Sequence, residues 1–158
     1  MGTVSYVPYE SRAVAKAISD VARGDDRMAR TRLRSYIDHR PDSMVARRLL
    51  ADSYRRDGYP DEAGRWGYLI PGGASEHERR LYERACSHRL NDELTATFMR
   101  KGLHWPRQVL AVDPSVNALL AKLDKRAARE KAIEGWLRRG IPVPRWLRVL
   151  ILHRLRAG

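Results

Sequence analysis

The sequence predicts an all-α fold, and three features point there. Valine and isoleucine are sparse, and no segment sustains the alternation of apolar and polar residues that marks a half-buried strand. Alanine, leucine, arginine and glutamate predominate, all of them good helix formers. Glycine, proline and Asn-Asp turns then cut the 158 residues into segments of helical length. The breaks fall at Gly24-Asp25, Arg40-Pro41-Asp42, Gly58-Tyr59-Pro60, Pro71-Gly72-Gly73, Asn91-Asp92, Gly102, Trp105-Pro106, Asp113-Pro114 and from Gly140 to Pro144. They leave helices of about 10–17 residues and one of about 25, joined by short connections.

In chain order, residues 1–11 form an N-terminal segment, 12–102 a core of three helix pairs, and 103–158 a basic helical extension expected to cap that core. The pairs are related by an internal period. Gly24 and Gly58 stand 34 residues apart, as do Ala29 and Ala63 and the series Ala17, Ala51 and Ala85. In each unit a first helix ends at a Gly or Asn-Asp turn and a second begins a few residues later. Small residues at Ala17, Ala29, Ala51 and Ala63 let the paired helices approach closely. Each glycine suits the left-handed conformation that ends a helix. Pro60 suits the first turn of the helix it opens, and Asp61 and Glu62 suit the positive end of its dipole. A single pair cannot bury its own apolar face, so the pairs are expected to stack.

The period and the pattern Leu50-Ala51, Tyr54, Gly58-Tyr59, Ala63 resemble the tetratricopeptide repeat, as do Ala17, Gly24, Ala29, Leu33, Tyr36 and Pro41 in the first copy. The third copy is degenerate, with Thr97 in place of the second-helix alanine; Lys16 and Arg84 replace Leu50, and Gly67 replaces Leu33. The combination also resembles a group of small bacterial helical-repeat proteins, a likeness that implies no activity. The tetratricopeptide resemblance implies a right-handed superhelix whose concave face is formed mainly by first helices. On that face Arg47, Arg48, Tyr54 and Arg55, with Asp52 and Arg56, either receive a partner's peptide or form only a solvated surface. Some tetratricopeptide domains clamp a carboxylate with Lys, Asn and Arg; here only the arginines are present.

Motifs for chemistry are missing from the sequence. "GYPDEAGRWG" lacks the G-x-x-x-x-G-K-[ST] of a phosphate loop and follows no strand, so it reads as a turn, with Gly64 and Gly67 serving close helix contact and Trp66 in the core. His39, His77, His88, His104 and His153 lack ligand spacing. The single cysteine, Cys86, excludes an intramolecular disulfide and reads as a buried thiol. The expectation is therefore no enzyme, no metal and no cofactor.

Charge is uneven. The formal net charge is +12, and residues 106–158 hold 12 basic against 4 acidic side chains. Arg outnumbers Lys by 26 to 5, a bias that genomic base content also produces. From Ser115 to Arg139 an apolar stripe of Val116, Leu119, Leu120, Leu123 and Ala127 should dock on the repeats. Lys122, Lys125, Arg126 and Arg129 share another face, continued by Ile133 and Trp136, and are candidates for an anionic partner. The closing "GIPVPRWLRVLILHRLRAG" offers Trp146 and Leu150 as candidates for an interface with a partner or a second copy. A non-catalytic module that binds a protein or peptide is the leading expectation. Nucleic-acid binding through the basic third is the alternative, and attachment to a membrane surface a third reading. With no signal-like start and no long apolar run, a cytoplasmic setting is expected.

Overall fold

Gly24 and Gly58 take the left-handed backbone, at φ +79° and +77°, where glycine alone escapes a steric penalty. Both turns close the same way. The Asp25 N–H donates to the Asp20 carbonyl at 2.9 Å, and the Tyr59 N–H to the Tyr54 carbonyl at 3.0 Å, which satisfies the carbonyl ends of the preceding helices. The computed structural model describes residues 9–87 and 95–140. Among these residues there are seven α-helices and no strand. They are α1 (Tyr9–Ala22), α2 (Asp26–His39), α3 (Met44–Arg56), α4 (Pro60–Gly67), α5 (Glu76–Ser87), α6 (Thr95–Gly102) and α7 (Pro114–Arg138). The Asn91-Asp92 turn, and the closing stretch with Trp146 and Leu150, lie outside the described residues.

Local chemistry starts most of these helices. The Asp25 carboxylate accepts from the Met28 N–H at 3.0 Å, and the Ser43 hydroxyl from the Ala46 N–H at 3.3 Å. Pro60 opens α4, with Asp61 and Glu62 in the same turn. Ser75 and Glu78 form a capping box at α5: the Glu78 N–H donates to Ser75 Oγ and the Ser75 N–H to Glu78 Oε2. α4 and α6 have 8 residues each, shorter than the sequence suggested. After α4 the chain turns at once, so that Tyr68, Leu69 and Ile70 enter the core as a compact loop rather than as more helix.

Each helix packs on the next in sequence, α1 through α7. Ala17, Ala29, Ala51 and Ala63 are all essentially inaccessible, so the small residues of the repeat do sit between helices. A β-carbon at Gly64 would overlap the backbone of Glu78 in α5, and one at Gly67 would overlap the Gly73 carbonyl. The third unit departs from the period. Ala85 is exposed; Tyr82 and Cys86 turn inward from α5 instead. In α6 it is Ala96, not position 97, that is fully buried. The buried alanine of α6, Ala96, follows Ala63 by 33 residues, where Ala63 follows Ala29 by 34.

Two apolar cores result. The first runs from Val14 to Trp66, through α1–α4. The second runs from Tyr68 to Ala127, through α5, α6, the following loop and α7, whose Val116, Leu120, Leu123 and Ala127 are buried as the stripe predicts. α7 also secures α6: the buried Glu130 carboxylate accepts from the Ala96 and Thr97 N–H groups at 2.8 and 2.9 Å and from Thr97 Oγ1 at 3.0 Å. No helix among the described residues is long and apolar enough to cross a membrane.

Candidate functional site

Arginines join helices throughout the stack. Arg55 of α3 forks onto Glu78 of α5 at 2.6 and 3.0 Å and reaches the Gly73 carbonyl at 3.2 Å. Arg65 of α4 donates to the Gly102 carbonyl at the end of α6 at 2.7 Å and stacks over Trp66. Arg100 of α6 pairs with Asp124 of α7 at 3.0 Å and donates to the Trp105 carbonyl. Arg47 is fully buried, and its guanidinium donates to the carbonyls of Pro41, Leu103 and His104 at 2.8, 3.0 and 3.1 Å. Burial, helped by the charge of Arg65, brings its pKa down to about 10. The Arg55–Glu78 hydrogen bond acts the other way on its members. It raises the arginine and holds the carboxylate below its ordinary value.

These bonds decide which expected partner residues are available. Arg47 is a correction: it lies inside the protein as the joint between α3 and the loop after α6, because three carbonyls needed a buried donor. Arg55 is engaged by Glu78, Asp52 and Gly73. Tyr54 is buried beneath the guanidinium groups of Arg30 and Arg34, with centroid distances of 5.1 and 5.5 Å. Its Oη has no hydrogen-bond partner. Arg48 remains exposed.

Three concavities gather at the second helices α2, α4 and α6, with Tyr54 of α3 and Tyr82 and Cys86 of α5 also bordering two of them. One, of about 460 Å³, has walls from α2, α4 and the turn between α3 and α4, with Arg34, Tyr54, Tyr59 and Glu62 among its residues. A second, of about 530 Å³, lies between the end of α2, α6 and α7 and includes Arg100, Lys101, Arg107 and Lys131. A third, of about 300 Å³, lies between α4, α5 and α6 and contains Cys86. His104 borders all three, and Asp38 borders the first two. This histidine is the single described non-glycine residue with positive φ, at 48°, a conformation that costs about 1–2 kcal/mol. It is held there from three sides. Arg47 binds its carbonyl, Asp38 Oδ1 lies 3.1 Å from its Nδ1, and Trp66 packs against the ring at 5.6 Å between centroids.

On α7 the basic candidates separate. Lys122, Lys125 and Arg129 are exposed, and none borders these concavities. Arg126 is half-buried, with its Nε enclosed and without a hydrogen-bond partner, so it leaves the exposed stripe. Trp136 is 40% exposed. The α7 residues that face the 530 Å³ concavity are Ala127 and Lys131. Cys86 is a buried thiol, as expected.

A family model described as "Family of unknown function (DUF6584)" matches residues 9–137. The chain belongs to the DUF6584 family. The match begins at α1 and ends at the last turn of α7, so it spans the seven described helices. No curated protein and no solved structure matches the chain. In this DUF6584 chain, sequence reasoning missed His104 and Asp38. They are 66 positions apart, on different elements, and nothing local marks either as special. A weak signal existed in "KGLHWPR", where a histidine directly follows a helix-ending glycine and leucine and precedes Trp-Pro.

Proposed function

We propose that this DUF6584 protein is a non-catalytic, tetratricopeptide-like interaction module that receives an extended segment of a protein partner along its second helices, centred on His104. The observation that carries the reading is the meeting of three concavities at one residue held in a costly backbone conformation. The groups offered there suit recognition of side chains. Tyr59 is 55% exposed, and the Arg34 guanidinium lies over Tyr54. A photo-crosslinking amino acid at position 59 should capture a defined partner segment in the native cell. The capture should fall when Arg34→Glu is added and persist when Lys122→Glu and Lys125→Glu are added instead. Equal capture with a crosslinker at an exposed α1 position such as Ile18 would end the proposal.

A second reading keeps nucleic acid as the partner. It is favoured by Lys122, Lys125 and Arg129, which are exposed on α7 and carry no carboxylate partner among the described residues. Phosphate-dominated binding weakens steeply with salt. RNA and DNA affinities of K122E/K125E that match the parent at low salt would remove this reading.

A further inference from the structure

The 530 Å³ concavity between α6 and α7 is unlike the other two in its charge. Four permanent cations border it: Arg100, Lys101, Arg107 and Lys131. The acids nearby are largely committed. Asp38 lies against His104, Asp124 is shared by Arg100 at 3.0 Å and Arg107 at 3.6 Å, and Glu130 is turned into the N-terminus of α6. Lys101 and Lys131 are therefore left, among the described residues, as exposed ammonium groups without a carboxylate partner. They come from two helices, α6 and α7, that pack on one another and are joined by side-chain bonds. Glu130 ties α7 to the start of α6, and Arg100 ties its end to Asp124 and to the Trp105 carbonyl.

We infer that this concavity is a binding site for a phosphate dianion, free or as a monoester, with Lys101 and Lys131 as its principal ligands and Arg107 beside them. Two unpaired ammonium groups match a double negative charge. A single carboxylate would leave one of them uncompensated. Trp105, Pro106 and Ala127 border the same concavity. Two sources of that chemistry fit: free phosphate, or a mononucleotide. The latter would place its phosphate here and its base beyond His104, in the adjoining 460 Å³ chamber beside Tyr59. The inference does not rest on the peptide reading, since phosphate binding can fail with partner capture intact.

Titrations of the full chain with inorganic phosphate, AMP and adenosine at low salt, followed by calorimetry and amide NMR shifts, test it. Phosphate and AMP should bind, with shifts centred on Lys101, His104 and Lys131, and adenosine should not. K101E/K131E should weaken phosphate by about tenfold or more, since a hydrogen bond to a charged group contributes that much. K122E/K125E, with the same change in net charge, should leave it within about twofold, because exposed charges outside a pocket are screened. Lys131→Gln, a single exposed substitution, gives the same reading if the double variant melts early. AMP binding more tightly than phosphate assigns the nucleotide source, and equal affinities assign free phosphate. Loss of equal size in both charge-reversal pairs, adenosine binding as well as AMP, or no binding of either anion would overturn the inference.

Discussion

The two apolar cores are held by different means. In the first, from Val14 to Trp66, repeated small residues set the distance between helices, and most ion pairs lie at the rim, the buried Asp20 carboxylate with Arg32 being an exception. Arg56 meets Asp26 at 3.1 Å, and Arg30 meets Asp57, with these side chains partly exposed to solvent. In the second, from Tyr68 to Ala127, the polar groups work from inside. Tyr82 Oη donates to the Met99 carbonyl at 2.9 Å, Asn117 bonds both the N–H and the carbonyl of Ala111 at 2.8 Å, and Glu130 caps α6. Repetition specifies the first core through packing. The second lacks a repeat to copy and is specified by buried bonds, each used once. Such bonds are costly to leave half-made, which makes them selective for one arrangement.

The largest effect is expected where the two cores meet. Arg47→Met should cost about 3–4 kcal/mol by leaving three buried carbonyls without a donor. Chemical denaturation would measure it, and His104 should lose its left-handed geometry in the same variant, visible as a shifted imidazole resonance. Gly64→Ala comes next, at about 2–3 kcal/mol, because the added methyl meets backbone and not a side chain that can move aside. Glu130→Ala should cost about 1–2 kcal/mol, the range of a lost helix cap, with amide exchange accelerated first in α6. Arg56→Ala at the rim of the first core should cost about 0.5 kcal/mol or less, as exposed ion pairs do. A result in which Arg56→Ala matched Glu130→Ala would erase the contrast between the cores.

Acid tests the link between the cores. Glu78 is held below its ordinary value mainly by the hydrogen bond from Arg55, so it is charged in the folded protein where it would begin to protonate in the unfolded chain. Its contribution is complete above the ordinary value of 4.5 and is lost as pH falls through the lower folded value. Melting temperature should therefore decline below about pH 4.5, and Glu78→Gln should remove part of that slope while lowering stability at neutral pH.

Much of the first core was legible in the sequence. Gly24 with Gly58, and Ala29 with Ala63, recur at one interval because each unit solves the same packing problem. Local turn chemistry depends only on neighbouring residues, so Pro60, with Asp61 and Glu62, could be read as a helix start. Ala85 misled for the converse reason: the interval continued in the letters after the helix had rotated, and the inward positions of α5 passed to Tyr82 and Cys86. Arg47 looked like a surface cation because arginine usually is one. Nothing within its own helix shows that the carbonyls of Leu103 and His104 arrive beside it.

The sequence alone determined that this DUF6584 chain is helical, where most of its helices begin and end, and that α7 carries an apolar stripe to bury. Those properties follow from backbone preference and period, which act over a few residues. The tertiary structure decided which arginines are joints and which are exposed, that α6 is secured from α7, and that three concavities meet around His104. These depend on groups tens of residues apart meeting at hydrogen-bond distance, and a short-range pattern holds no record of that meeting.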